Sequence, residues 1–378
     1  MVAINHSAKA SIIEMLTEPS LHTHTVQLKV TGLPAAQATE TIYIAGNFNG
    51  WNPRDENFRL QKDAAGHFFI EIKYPDAVSH AFKFTRGSWN NAETCSAGND
   101  LPNRSLQVQH GTEYRFTIAG WKDGFETESC VSTASEQVAV LDTAFSIPQL
   151  GRNRRIWIYL PKGYHRTGKK YPVLYMHDGQ NLFDNATAFA GEWGVDKSLD
   201  AVKNECIVVG IDNAGVQRMN EYNPNNTRRF GKGEGKAYLS FIVNSLKPFI
   251  DKKYRTLNDK QHTYMAGSSM GGLISFYAGL YYPQVFGVLG ILSPSFWIAP
   301  QLKTQVKQLA RESSHAAQKY FFYAGGEEAH ETAKNMSAIA NEIKKAANPK
   351  TAIVIDPHGK HNEATWCAVF PEFYKWIF

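Results

Sequence analysis

One short segment restricts the fold of this chain more than any other. An apolar run at residues 264–266 leads into Gly-Ser-Ser-Met-Gly-Gly at residues 267–272, and a helical pattern begins at Leu273. Gly-x-Ser-x-Gly between a strand and a helix is typical of a nucleophile elbow, whose sharp turn exposes a serine hydroxyl at the edge of a parallel sheet. The segment therefore predicts an α/β fold with Ser269 as a nucleophile, and Ser268 is its neighbouring alternative.

The pattern around this segment supports that interpretation. Strand-like runs alternate with helical spacing at residues 237–250 and 273–280. The strand-like runs lie at residues 155–160, 173–176, 207–211, 263–266, 288–292, 320–323 and 352–355. Several are continuous apolar runs, which is typical of strands that helices cover on both faces. We therefore expect a mostly parallel sheet flanked by helices over residues 138–378.

The first third of the chain has a different pattern. Its β-rich runs are short, and clusters of turn residues separate them. They lie at residues 25–30, 41–45, 67–72, 81–85 and 113–118. This spacing predicts a smaller all-β, immunoglobulin-like sandwich at residues 1–124, and a polar linker at residues 125–137 then precedes the α/β domain.

Charge and composition exclude several classes of protein. The 378 residues carry 40 basic and 35 acidic side chains, a net charge of +5, without a basic run that would follow nucleic-acid phosphates. No apolar stretch is long enough to span a membrane, and the cysteines lack metal-binding spacing. We expect no nucleic-acid partner, no membrane span, no metal and no cofactor. The oligomeric state stays open.

The compartment depends on how the chain starts. Residues 1–29 do not read as a signal peptide, because charged residues and histidines interrupt any apolar core. The protein is expected in the cytoplasm if Met1 is its native start. It is expected in the periplasm or outside the cell if a signal peptide originally preceded it.

A serine hydroxyl is a weak nucleophile and needs a base, which in this fold follows the serine in the chain. The candidate histidines are His262, His315, His330, His358 and His361. His361 is the preferred base because it follows the last predicted strand and directly precedes a helical run at residues 362–378. His358 follows the same strand and stays the alternative. We interpret His315 and His330 as solvated.

The acid of the predicted triad should follow the penultimate strand, where its carboxylate would orient the imidazole. Glu328 is the preferred residue there, and Glu327 and Asp356 stay alternatives. Two backbone N–H groups should stabilise the oxyanion. We assign them to Met270, directly after the nucleophile, and to Gly179, in the loop after an early strand.

Residues 139–378 resemble the bacterial putative-esterase family, which includes enterochelin esterases, feruloyl esterases and acetyl xylan esterases. The resemblance implies the α/β-hydrolase fold for this domain. The resemblance rests on the elbow at Ser269 and on the segments 175–181, 192–196, 220–222, 252–256 and 359–363. The family places its acid fourth in a Gly-x-x-Asp/Glu loop, which corresponds to Glu328. The resemblance and the loop composition together give a set of candidate cleft residues: Asp178, Gln180, Trp193 and Arg218. For Trp193, a position in the core is the alternative.

Residues in the first segment resemble the glycogen-binding modules of starch-branching enzymes and of the AMP-activated kinase β subunit. The similar segments are residues 46–51, 82–84, 87–89 and 102–104. The resemblance implies sugar stacking on Trp51 and Trp89, and hydrogen bonds from Lys83 and Asn103. Tryptophan suits the flat C–H faces of sugar rings. The module could instead act only as a spacer or as a wall of the cleft.

The resemblance implies a serine carboxylic-ester hydrolase that works through an acyl-enzyme on a small-molecule or oligosaccharide ester. Its first expected substrate is a feruloyl or acetyl ester on carbohydrate. A siderophore esterase that opens an enterobactin-like trilactone is the alternative, and a non-catalytic glycan-binding protein is the alternative from another class. Arg218, Arg228, Arg229 and Lys232 would favour an anionic substrate if they line the cleft, and otherwise form a solvated loop.

Overall fold

The computed structural model describes residues 23–35, 41–46, 48–75, 79–98, 101, 103–107, 112–125, 131–189, 191–202, 205–227, 231–310 and 313–378. The chain divides into two compact units, Met1–Glu128 and Ser129–Phe378. The bounds that the sequence suggested, 1–124 and 138–378 with a linker between them, stay a proposal.

The described residues of the first unit form strands and short 3-10 turns. The strands are β1 (Thr23–Gly32), β2 (Tyr43–Gly46), β3 (Gln61–Lys62), β4 (Phe68–Pro75), β5 (Ser79–Thr85), β6 (Glu93–Thr94), β7 (Arg104–Gln107), β8 (Glu113–Thr117) and β9 (Gly120–Trp121). They pair in the orders β3-β4-β1-β8, β2-β5-β7 and β6-β9. The sequence pattern did not indicate β3, β6, β7 and β9, which have two to four residues each.

Alternating apolar residues form the core of the first unit. Val26 and Leu28 of β1 are buried and lie opposite Ile72 and Ile70 of β4. Because alternate residues of a strand face the same side, these side chains share one face of their sheet. They form a single hydrophobic cluster with buried residues of the second sheet, such as Phe82. A β-sandwich is expected to have this arrangement, and its immunoglobulin-like class stays a prediction.

The second unit contains, among its described residues, a sheet of eight strands. They are β10 (Val138–Ile147), β11 (Arg152–Tyr159), β12 (Val173–His177), β13 (Ile207–Ile211), β14 (Thr263–Ser268), β15 (Val288–Leu292), β16 (Lys319–Gly325) and β17 (Lys350–Asp356). Their order is β10-β11-β13-β12-β14-β15-β16-β17. The pairs from β13 to β17 are parallel, whereas β10 and β11 run antiparallel to their neighbours. The predicted mostly parallel sheet is confirmed.

Helices lie between these strands. They are α1 (Val195–Asp200), α2 (Arg218–Glu221), α3 (Gly235–Phe241), α4 (Lys247–Lys253), α5 (Met270–Tyr281), α6 (Leu302–Leu309), α7 (Ser313–Ala316), α8 (His330–Ala347) and α9 (Glu363–Ile377). A π-helical turn at Ile242–Leu246 joins α3 to α4. No helix in the described part of the chain is both long and apolar enough to cross a bilayer.

Burial on both faces explains why the central strands are apolar throughout. In β12, Val173 and Tyr175 belong to one hydrophobic cluster, while Leu174 and Met176 belong to another. The loops at the carboxyl ends of the parallel strands meet at one edge of the sheet, where ligands bind in open α/β sheets. The predicted triad and oxyanion residues, Ser269, Met270, Gly179, Glu328 and His361, all follow such strand ends.

Candidate active site

Ser269 lies in a strained turn between β14 and α5. Its backbone angles, φ 57° and ψ −119°, fall in a region that residues with a side chain rarely adopt. Its N–H donates to the Leu292 carbonyl at 2.9 Å. A Cβ placed on Gly267 would lie 2.8 Å from the backbone of Gly271, so the turn closes only with glycine there. Gly267 thus allows the start of α5 to approach the end of β14 closely.

The structure brings Ser269, His361 and Glu328 into one hydrogen-bonded chain. His361 Nε2 lies 3.0 Å from Ser269 Oγ, and His361 Nδ1 lies 2.8 Å from Glu328 Oε2. His361 precedes the first turn of α9, where the Asn362 side chain accepts from Thr365 N at 3.0 Å. This cap fixes the start of the helix immediately after the histidine.

The alternative acids and base lie elsewhere. The His358 side chain is 88% exposed, and its Nδ1 lies 3.4 Å from Glu327 Oε1. Lys360 also pairs with Glu327, at 3.6 Å. Asp356 accepts from the Tyr323 hydroxyl at 3.1 Å. Each of these groups therefore has a partner away from the nucleophile.

The other histidines are also placed away from Ser269, where the structure describes them. His262 Nδ1 contacts the carboxylate of Asp259 at 2.8 Å. His315 is 1% exposed, and its Nε2 lies 3.2 Å from the Leu280 carbonyl. The interpretation of His315 as solvated is therefore wrong, because α7 buries it against the end of α5. The side chain of His330 lies outside the described residues.

A buried network that the sequence did not reveal holds Glu328. Its Oε1 accepts from Ser293 Oγ at 2.6 Å and from Gly325 N at 2.7 Å, and its side chain is 0% exposed. Ser293 Oγ in turn accepts from Trp366 Nε1 at 2.9 Å. The Trp366 ring lies 5.1 Å from the His361 ring, in an edge contact. These bonds compensate the buried carboxylate and fix its direction.

The two predicted oxyanion amides both open helical turns. Gly179 is the first residue of a 3-10 turn after β12, and Met270 is the first residue of α5. The first N–H groups of a helix lack an acceptor within that helix. A Cβ on Gly271 would lie 3.3 Å from Asp178 Oδ2 and from His177 Cβ. The loop that carries Gly179 therefore packs against the start of α5.

Ser295 also lies beside the nucleophile, although the sequence did not single it out. Its Oγ is 3.2 Å from Ser269 Oγ, and its N–H donates to the Ser269 carbonyl at 3.0 Å. It is 5% exposed. Its position after the end of β15 is the signal that could have suggested it. Ser269 Oγ thus has a hydroxyl partner, Ser295, in addition to the imidazole of His361.

The structure pairs two of the predicted cleft residues with each other. Arg218 donates from Nε to Asp178 Oδ1 at 2.7 Å and from Nη2 to Oδ2 at 2.8 Å. Asn213 Nδ2 donates to the same carboxylate at 2.8 Å. Burial alone raises the pKa of the Asp178 carboxyl, but the charge and hydrogen bonds of Arg218, with that of Asn213, bring this pKa below its usual value.

The remaining cleft candidates differ in their surroundings. Gln180 accepts from the backbone of Asn213 at 3.1 Å and is partly exposed. Trp193 is 3% exposed, and its ring lies 5.8 Å from Trp366 and 6.4 Å from Phe370. The expectation of Trp193 in a cleft wall is therefore wrong, because its ring packs in the core. Its contact with Trp366 supports the residue that in turn contacts His361.

The structure describes two of the four basic residues that the sequence placed in this loop. Arg218 is paired with Asp178, and Lys232 is exposed. Arg228 and Arg229 lie outside the described residues.

Two further titratable groups lie near the site. Burial lowers the pKa of His177 to about 3, so its imidazole is neutral at ordinary pH, and its Nδ1 lies 2.9 Å from the Tyr238 hydroxyl. Burial raises the pKa of Glu363 to about 7, and the charges of His361, Asp178 and Arg218 also act on it. Glu363 therefore gains its negative charge as the pH rises through about 7.

In the first unit, the structure places the four predicted glycan residues differently. The rings of Trp51 and Trp89 lie 6.3 Å apart, tilted by 40°, and both are partly exposed. Asn103 is exposed. Lys83 is 4% exposed, so its side chain is buried and not available to a sugar. Among the described residues of the chain, no group of His, Cys, Asp or Glu could hold a metal ion.

The family described as "Putative esterase" matches residues 147–377 of the chain. An uncharacterized protein of Bacillus subtilis, YbbA, is 27% identical over 243 residues, which cover 60% of this chain and 93% of that protein. An endo-1,4-β-xylanase/feruloyl esterase of Xylanibacter ruminicola is 28% identical over 269 residues, which cover 68% of this chain. The match spans only 34% of the Xylanibacter protein's length.

Among solved structures, the chain is similar to the enterobactin esterase FES of Shigella flexneri, crystallised in the presence of enterobactin. The TM-score is 0.51 at 14% identity, and the match covers 94% of this chain and 93% of that one. At this identity the likeness shows the fold alone. With the mostly parallel sheet, it supports the predicted α/β-hydrolase fold of the second unit.

Proposed function

This chain belongs to the putative esterase family, and from that premise we propose that it is a serine carboxylic-ester hydrolase with Ser269, His361 and Glu328 as its triad. The observation that carries the proposal is the chain of contacts from Ser269 Oγ through the imidazole to Glu328, at 3.0 and 2.8 Å. Nucleophile, base and orienting acid within hydrogen-bond reach are the signature of covalent catalysis by serine.

The proposed reaction proceeds in two halves. His361 Nε2 accepts the Ser269 proton as Oγ attacks the ester carbonyl, and the N–H groups of Gly179 and Met270 donate to the resulting oxyanion. The C–O bond to the alcohol then breaks, and His361 returns its proton to the leaving oxygen. Water, deprotonated by His361, attacks the acyl-enzyme. The acid is then released, and Ser269 recovers its proton.

Glu328 acts through the histidine in this mechanism. By accepting from Nδ1, its carboxylate keeps the proton off Nε2 in the resting state and stabilises the imidazolium that forms during attack. The bonds from Ser293 and Gly325 occupy its other oxygen, Oε1. Oε2 is thereby directed at the imidazole.

We expect Glu328→Gln to lower kcat by about 10²- to 10⁴-fold, because an amide can donate to the imidazole and stabilise the wrong tautomer. Steady-state hydrolysis of p-nitrophenyl acetate measures the effect. Glu327→Gln is the matched control, since Glu327 pairs with His358 and Lys360 at the surface. Wild-type kcat in Glu328→Gln, or an equal loss in both variants, would contradict the assignment of the acid.

For the substrate, we favour a feruloyl or acetyl ester on carbohydrate. The Xylanibacter relative bears the name of a feruloyl esterase, and the Trp51 and Trp89 rings in the first unit suit a sugar face. An anionic ferric siderophore is less favoured, because the Arg218 charge is already paired with Asp178. These observations support the first substrate class and leave the second as an outcome of the test.

The test is hydrolysis by the wild-type protein of p-nitrophenyl acetate, methyl ferulate and an iron-free enterobactin trilactone, compared side by side. The proposal predicts hydrolysis of the first two, with a larger kcat/KM for one of them than for the trilactone. A trilactone preference would support the siderophore alternative. Hydrolysis of none of the three would contradict the esterase proposal and favour a non-catalytic glycan-binding protein.

We also propose that Trp51 and Trp89 contact a glucan chain. Replacing both with alanine is expected to weaken binding to soluble glucan about tenfold, because the stacking area is lost. Affinity electrophoresis in gels containing the glucan measures the change. The Ser269→Ala variant should bind like the wild type. Unchanged binding in the double tryptophan variant, or no binding by the wild type, would contradict this role.

A further inference from the structure

The loop between β12 and the Gly179 turn contains a residue in an unfavourable conformation. Asp178 has φ 58° and ψ 47°, in the left-handed region where residues other than glycine are uncommon. Such a conformation persists only where the surrounding structure holds it. The contacts of its side chain therefore indicate what maintains this turn.

Two-point contact with Arg218 is the strongest of these contacts. The guanidinium bonds both carboxylate oxygens, at 2.7 and 2.8 Å, and such bidentate pairs fix direction as well as distance. Only 11% of the Asp178 side chain and 26% of the Arg218 side chain are exposed. The guanidinium also lies over the Tyr222 ring, 5.1 Å from its centroid.

The ion pair lies beside both proposed oxyanion amides. Asp178 directly precedes Gly179 in the chain. A Cβ placed on Gly179 would lie 2.8 Å from the backbone of Gly210. On the other side, Asp178 Oδ2 lies 3.3 Å from the Cβ position of Gly271, one residue after Met270. The carboxylate that Arg218 holds is therefore packed between the two elements that carry these amides.

We propose that Arg218 is a positioning residue for the oxyanion site, because its two-point ion pair with Asp178 fixes the left-handed turn that directs the Gly179 amide. The inference rests on the proposed serine esterase function and deepens it. Arg218 acts through Asp178 and does not touch the reacting atoms. The positive charge of Arg218 is paired with Asp178 inside the protein. The sequence had instead suggested that Arg218 binds the substrate.

Three variants separate the contributions of charge and geometry. Arg218→Gln removes the charge, Arg218→Lys keeps the charge without the planar fork, and Asp178→Asn keeps the shape of the carboxylate without its charge. We expect Arg218→Gln to lower kcat about 10- to 100-fold with little change in KM, since a small misplacement of a catalytic group has effects of this size. Arg218→Lys should fall between this variant and the wild type.

The double variant Arg218→Gln/Asp178→Asn tests whether the two residues act as one unit. Residues in contact give non-additive effects. We therefore expect the double variant to lose no more activity than the more affected single variant. Fully additive losses would show that Arg218 acts independently of Asp178 and would overturn the inference.

A transition-state analogue supplies a readout that general destabilisation would not change. A boronic acid forms a tetrahedral adduct with the serine, and one boronate oxygen takes the place of the oxyanion. Its inhibition constant should rise in Arg218→Gln by about the same factor as kcat falls. Arg104→Gln is the matched control, because Arg104 also bonds a buried carboxylate, that of Glu93 in the first unit, from Nε to Oε1 and from Nη2 to Oε2.

The pH profile gives an independent signature. Without the guanidinium, burial is the main influence left on the Asp178 carboxyl, so its pKa should rise. The other titratable groups near it are His177 at the end of β12, Tyr222 directly after α2, Tyr238 on α3 and Glu363 on α9. In the wild type, kcat should fall at acid pH as Asp178 takes up a proton, because the ion pair with Arg218 is then lost. In Arg218→Gln and in Asp178→Asn the pair is already absent, so this fall should be missing from their profiles.

The outcomes distinguish this inference from the proposed function. Ester hydrolysis that depends on Ser269, together with wild-type kcat in both Arg218→Gln and Arg218→Lys, would overturn the inference alone. A loss confined to KM would also overturn it, since Arg218 would then bind substrate. If Arg218→Gln does not fold, Arg218→Lys decides the matter by its kcat. Equal hydrolysis by the wild type and Ser269→Ala would overturn both proposals.

Discussion

Replacing Ser269 with alanine is expected to lower kcat for p-nitrophenyl acetate by about 10⁴- to 10⁶-fold, because no acyl-enzyme can form. The remaining rate should come from substrate binding and the oxyanion amides. The strained backbone of Ser269 is fixed by glycines and by its bond to Leu292, so alanine can adopt the same turn. Steady-state kinetics, with circular dichroism to confirm folding, measures the effect.

Ser268→Ala is the matched control for this variant. Ser268 is the last residue of β14, is 5% exposed and lies one position before the motif serine. Its loss is expected to leave kcat close to the wild-type value. If Ser268→Ala lost activity and Ser269→Ala kept it, the nucleophile would be assigned to the wrong residue.

Replacing His361 with alanine is expected to lower kcat by about the same 10⁴- to 10⁶-fold. Catalytic residues that act as a unit have non-additive effects, so the loss of one member costs about as much as the loss of all. The imidazole nitrogen that would accept the Ser269 proton lies 3.0 Å from Ser269 Oγ, and alanine removes it. The double variant Ser269→Ala/His361→Ala should therefore be hardly slower than either single variant. The same hydrolysis assay measures all three.

His358→Ala tests the alternative base in the same loop. The His358 side chain is 88% exposed and pairs with Glu327 at the surface. Its replacement should leave kcat unchanged. A large loss in His358→Ala with little change in His361→Ala would show that the loop places the other histidine at the nucleophile.

The sequence could predict those parts of the site that follow from local pattern. Glycine spacing identified the turn at Ser269, and strand ends identified the loops that carry Glu328 and His361. Such loops lie together because parallel strands bring their carboxyl ends to one edge of the sheet. The neighbours Glu327 and His358 could not be separated from the preferred residues by pattern, because the direction of a side chain in a loop depends on tertiary contacts.

The contacts that hold the site together could not be predicted in this way. Ser293 bonds Glu328 from a position 35 residues away in the chain, and Trp366 bonds Ser293 from a position 73 residues away. No local spacing indicates bonds over such distances. Trp193 was assigned to the cleft because a tryptophan suits a ligand as well as a core, and its burial decides between the two.

The predictions failed for β10 and for the surroundings of His315 for the same kind of reason. The strand β10 was not predicted, since most of its side chains are exposed and do not alternate in polarity. His315 was interpreted as solvated because its surroundings in the chain are polar, whereas α7 folds it against the Leu280 carbonyl. Both depend on where the segment packs, which local composition does not encode.

Covalent labelling tests most directly whether Ser269 is an activated nucleophile. The protein should be treated with a fluorophosphonate, and the modified residue located by mass spectrometry of its peptides. We expect one label per chain, on Ser269, with no labelling of the Ser269→Ala or His361→Ala variants. A label on another residue, or none on the folded wild-type protein, would contradict the assignment of the nucleophile.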